Sequence, residues 1–114
     1  MSARTWPERI QDILDAVAEI ETFVSGFTRD QFLADAKTLK AVVADLMIIG
    51  EAAGHVPATV VQGHPEIPWA LMTGMRHHIV HGYYQVDSII VWDTCQNDLG
   101  PLIQPLRTLL QQNP

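Results

Sequence analysis

The side chains best able to do chemistry crowd one short stretch, Met75-Arg76-His77-His78-Ile79-Val80-His81-Gly82-Tyr83-Tyr84. Arg76 supplies a permanently charged planar fork that suits a phosphate and the charge that develops during phosphoryl transfer. His81 supplies a group that takes or gives a proton near neutral pH. Together they suit cleavage of a phosphodiester in RNA. The 2′-hydroxyl of RNA is its own nucleophile, so a cation, a base and an acid suffice, with no metal or cofactor. Five residues separate the pair, which on a regular helix turns them about 140° apart. They share one site only if the helix ends before His81, which Gly82 favours, or if two copies of the chain meet about a symmetry axis.

Each of these residues also has a plainer reading. Arg76 can form an ion pair at a helix end, with Glu51 or Asp87 as partner. His81 can be a histidine favoured by a helix C-terminus. His77 lies four residues before His81, on the same helical face, and either supports the site or is polar surface. His77, His78 and His81 lack a nearby cysteine or carboxylate to complete a zinc set, so no metal site is expected. His55 and His64 fall in connecting positions. Glu51 is expected either on the buried side of its helix or facing a cleft, most simply in a structural ion pair. Trp69 and Trp92 are expected as core anchors, and Tyr84 as packing.

Charge narrows the possible partners. The 114 residues carry a formal charge of −6, against a general nucleic-acid-binding surface. The distribution says more than the sum. Between Ala41 and Leu106 the one permanent cation is Arg76, so an anion bound in that half must meet it. The single cysteine, Cys95, excludes an internal disulfide and fits a reducing compartment. No apolar run reaches the roughly 20 residues of a membrane span, and Met1–Pro7 has no signal-peptide pattern. A cytoplasmic protein with no membrane partner is expected, with one domain over residues 1–114.

The elements that must position this stretch are all helical. Thr5 and Glu8 form a capping-box pattern ahead of Ile10, Ile13, Leu14, Val17, Ile20 and Val24, and Gly26 closes that helix. Thr28 and Gln31 open a short helix to about Ala34. A long helix follows from Lys37 to His55, with Leu39, Val42, Val43, Leu46, Ile49 and Ala53 as its buried stripe. Gly50, Ala53 and Gly54 give that helix a thin side, where another backbone can come close. Pro57 stops it, and Pro57–Pro68 is a turn-rich connection with room for one helical turn at Ala58–Gln62. The reactive stretch ends the next helix, Pro68 to about His81. Asp87 caps a last segment rich in apolar residues, including Ile89, Ile90, Leu99, Leu102, Ile103, Leu106 and Leu110. Gly100, Pro101 and Pro105 should break or kink it. The expected architecture is all-α, an antiparallel bundle of four to five helices.

The order and spacing of several motifs resemble the HepT-like branch of the HEPN superfamily. These are Ile49-Gly50-Glu51-Ala52-Ala53, His64-Pro65-Glu66-Ile67-Pro68-Trp69, Arg76 to Tyr84, Val91-Trp92 and Asn97-Asp98-Leu99. Arg76-x4-His81-x-Tyr83 is similar to that family's R-x(4–6)-H-x-Y signature. The resemblance implies a homodimeric, metal-independent endoribonuclease toxin with Arg76 and His81 as the catalytic pair. It implies an antitoxin partner too, a minimal nucleotidyltransferase of the MntA type that attaches AMP to Tyr83. Bulky anionic groups there would compete with RNA phosphates for Arg76. Where the family commonly has Asn after the Arg, this chain has His77, a titrating group in a supporting place. The alternative is a non-catalytic, nucleotide- or partner-binding module acting in complex with such a nucleotidyltransferase.

Overall fold

The computed structural model describes residues 4–80 and 86–112, with 77–80 as backbone only. Among them are seven helices and no strand, an all-α bundle. Helix α1 (Trp6–Val24) starts at Thr5, whose hydroxyl accepts from the Glu8 amide while the Glu8 carboxylate accepts from the Thr5 amide. Helix α2 (Arg29–Leu33) repeats this device with Thr28 and Gln31. Both boxes satisfy amides that the first turn leaves without partners. Gly26, at φ 79°, makes the turn between them in the left-handed region that glycine tolerates.

Helix α3 (Ala36–Gly54) is the centre of the bundle, packed chiefly against α1 and against α5 (Trp69–Val80). Ile10, Ile13, Val17 and Ile20 of α1 meet Val42, Leu46 and Ile49 of α3 in one buried core. Leu39 and Val43 lie at its margin and are half-buried. The connection to α5 contains the short α4 (Ala58–Gly63). Trp69 is buried at the start of α5, and its indole N–H donates to the His64 carbonyl at 3.0 Å, anchoring the connection.

The last apolar segment divides into α6 (Ser88–Asn97) and α7 (Gly100–Gln111). Asp87 caps α6, its carboxylate accepting from the amides of Ile89 and Ile90 at 2.9 and 3.3 Å. The break falls at Asp98 and Leu99, ahead of Gly100 and Pro101, and Pro101 sits in the first turn of α7. Helix α7 runs on through Pro105 despite the amide that proline lacks. Burial of Leu102, Leu106 and Leu109 along one side holds it to the core. Trp92 is half-buried, its ring 5.2 Å from that of Phe32 across the α2–α6 seam. Among the described residues, no helix is long and apolar enough to cross a membrane.

Candidate active site

Helix α5 presents Arg76 to solvent at the seam with α3. What lies beneath is glycine for a steric reason. A β-carbon added to Gly50 would stand 2.7 Å from the backbone nitrogen of Arg76 and 3.0 Å from its Cα. The two helices touch backbone to backbone at this point, which bears out the thin side expected of α3. Gly54, the other end of that side, has open space around it.

An open hollow of about 480 Å³ runs along the α3–α5 seam, lined by Gly50, Gly54, Ala70, Thr73, Gly74 and Arg76. Four of the six lining residues have no side chain larger than a methyl group. The guanidinium and the Thr73 hydroxyl are therefore its polar equipment. Thr73 carried no weight in the sequence reading. Its signal was its position, three residues before Arg76 and so on the same flank of the helix.

Helix α5 extends through residue 80 in its backbone, including His77 and His78, whose side chains lie outside the described residues. His81 and Tyr83 lie outside the described residues altogether, as does Tyr84. Of the expected site, the structure therefore places Arg76. The ion pairs considered for Arg76 are not formed among the described residues. Glu51 is exposed, and the Asp87 carboxylate is engaged in capping α6. The expected structural ion pair of Glu51 is likewise not found there, because its position on α3 points outward, away from the buried stripe. His55 and His64 are tied locally: Nδ1 of His55 lies 2.8 Å from the Glu51 carbonyl, and Nδ1 of His64 lies 3.2 Å from the Glu66 carboxylate.

Two other groups show how the fold sets ionisation. Burial pushes the Cys95 thiol up to about 12, which removes it as a nucleophile near neutral pH. Asp45 of α3 is 4% exposed, and its Oδ2 has no hydrogen-bond partner among the described residues. Burial, then the neighbouring carboxyl of Glu19 across the α1–α3 seam, raise its carboxyl to about 7. The sequence reading passed over Asp45. Its spacing, three after Val42 and four before Ile49, was the signal that it belongs to the buried stripe.

The family model described as "Ribonuclease HepT-like" matches residues 13–109, which takes in α3, the hollow and the Arg76 segment. A protein of Thermococcus cleftensis named "Probable ribonuclease HepT" is 38% identical over 99 residues, covering 87% of this chain and 90% of that one. A Methanocaldococcus jannaschii protein named "Putative RNase MJ0127" is 32% identical over 102 residues, covering 90% of this chain and 84% of its own. A protein of Caldanaerobacter subterraneus, named in the same form, is 32% identical over 89 residues, covering 78% and 80%. No solved structure matches. A match across most of the chain, with relatives above 30% identity over nearly their full lengths, places this chain in the HepT-like ribonuclease family.

Proposed function

We propose that the chain is a metal-independent endoribonuclease, the toxin of a toxin–antitoxin pair, acting in the cytoplasm as a single-domain homodimer. The observation that carries this reading is the seat of Arg76. In a family named for ribonucleases, the one permanent cation between Ala41 and Leu106 stands in an open hollow whose walls leave room for a phosphate.

In this mechanism Arg76 holds the scissile phosphate and stabilises the negative charge that grows on its oxygens. His81 takes the proton of the 2′-hydroxyl as that oxygen attacks phosphorus. A second proton is delivered to the departing 5′-oxygen, a role available to His81 of the other protomer. The products are a 2′,3′-cyclic phosphate and a 5′-hydroxyl. His77 supports the site by hydrogen bonding. Two copies brought together would let Arg76 and His81 face one cleft even though five residues separate them on the chain. An apolar groove between α5 and α6 supports dimerisation, with Leu71 and Ile90 on its walls and large exposed hydrophobic surface at Ile89 and Ile90. Neutralisation follows from charge: a minimal nucleotidyltransferase of the MntA type attaches AMP to Tyr83, and the adduct's phosphate competes for Arg76.

The test is cleavage of total RNA by purified protein in EDTA, beside Arg76→Ala and His81→Ala, with the intact mass recorded. Cleavage by the parent protein alone is the expected result. Silence from an unmodified parent protein would overturn the nuclease reading in favour of a binding module.

A further inference from the structure

Resting on the ribonuclease reading above, we propose that Thr73 is a specificity-determining residue that accepts a hydrogen bond from a ribose 2′-hydroxyl in the Arg76 hollow. Thr73 is exposed, lines that hollow and stands one turn before Arg76 on the same flank of α5. Side chains at this spacing have β-carbons about 5–6 Å apart, so two groups on one nucleotide can meet both. A hydroxyl has one donor and two acceptor lone pairs. The Thr73 donor is already used, bonded to the Ala70 carbonyl of its own helix at 3.2 Å.

What Thr73 offers a ligand is therefore an acceptor. Phosphate oxygens are acceptors themselves and gain nothing from it. The nearest donors to a phosphate on an RNA strand are the 2′-hydroxyls of the two riboses it joins, which DNA lacks. The one on the 5′ side gives its proton to His81 in the reaction, so the one that Thr73 accepts from belongs to the ribose on the 3′ side. Arg76 would read charge, which RNA and DNA share, and Thr73 would read the sugar, which they do not. Gly50, Gly54, Ala70 and Gly74 put nothing longer than a methyl group in the way of a sugar lying against the helices. Neither fold nor core asks for threonine here: the side chain is exposed, and alanine or lysine would suit the helix better.

The test compares short labelled oligouridylate and oligodeoxyuridylate, identical in base, binding to the His81→Ala protein and to its Thr73→Val and Thr73→Ser derivatives. Fluorescence anisotropy gives each Kd. Thr73→Val, of nearly the same shape, should lose about fivefold in affinity for the ribose strand and nothing for the deoxyribose strand, the worth of one neutral hydrogen bond. Thr73→Ser should keep the preference. An unchanged ribose preference in Thr73→Val overturns the proposal, as does an equal loss for both strands, which would mark a merely structural role. If no RNA binding depends on Arg76, tested by Arg76→Ala in the same background, the ribonuclease reading falls and this one with it. Arg76-dependent binding with an indifferent Thr73 would overturn this inference alone.

Discussion

Gly50 of α3 and Arg76 of α5 are in backbone contact, so close that a β-carbon on Gly50 would fall 2.7 Å from the Arg76 amide nitrogen. Backbone cannot swing aside as a flexible side chain does, so one helix must move. Gly50→Ala is therefore expected to cost about 1–3 kcal/mol of stability, the usual cost of overpacking. It should also lower RNA cleavage by shifting the seat of Arg76. Gly54→Ala meets nothing within 4 Å and should stay within about 0.5 kcal/mol of the parent. Urea unfolding of the two variants checks the contrast, and equal stabilities would show that the seam yields.

Asp45 makes stability depend on pH in an unusual direction. Its folded carboxyl sits near 7, against an ordinary 3.8, because burial and Glu19 disfavour its charge. Between those values the folded chain holds a proton that the unfolded chain has released. The resulting stability is complete below about pH 4 and is lost as pH rises through about 7. The loss is on the order of a few kcal/mol. Asp45→Asn, which keeps the shape and cannot ionise, should flatten this slope and be more stable than the parent at pH 8. Melting temperatures across pH 4–8 test it, and an unaltered slope in Asp45→Asn would place the effect elsewhere.

Ile90 is 56% exposed on the wall of the α5–α6 groove. If that face joins two copies, Ile90→Asp should put a charge into an apolar interface and give a monomer in sedimentation velocity. Its helical circular dichroism should match the parent's, and RNA cleavage should be lost with the dimer. A variant still dimeric would move the interface to another face, with Met47 and Ile48 of α3 the next exposed apolar pair.

Asp87 gives α6 its first turn through hydrogen bonds that the amides of Ile89 and Ile90 donate to one carboxylate oxygen. Asp87→Ala should cost about 1 kcal/mol, and Asp87→Asn, which still accepts, only a fraction of that. Thermal unfolding distinguishes the two. Equal losses would mean that charge at the helix end outweighs the hydrogen bonds.

What the sequence made legible was local or periodic. Thr5 with Glu8 and Thr28 with Gln31 announce helix starts because both partners of each cap lie within four residues. Glycines on α3 announce a close approach, though not that the other party is the backbone of Arg76. The helical nature of the last segment was readable from its apolar period, while its division at Asp98 and Leu99 was read only as a break or kink near Gly100, Pro101 and Pro105. Ile89 and Ile90 counted as apolar members of a helix, yet they point outward, because period alone does not say which side a neighbour occupies. Asp45 escaped for the opposite reason: a carboxylate is presumed to face water, and its place on the buried stripe was outweighed by its chemistry. Thr73 acquires meaning only beside Arg76 in the hollow, a relation between surfaces rather than between letters. The Arg76-His81-Tyr83 motif was read through resemblance, and its first member is the one whose surroundings are described.

Two of the three indoles divide the molecule optically. Trp69 donates to the His64 carbonyl where the connection meets α5, and Trp92 leans on Phe32 between α2 and α6. Each emits from a different seam, so in a chain whose third tryptophan, Trp6 of α1, is also Phe, replacing either leaves an intrinsic fluorescence gauge for the other. A protein of this size thus carries its own means of showing whether the α5 side and the α2–α6 side come apart together or in turn.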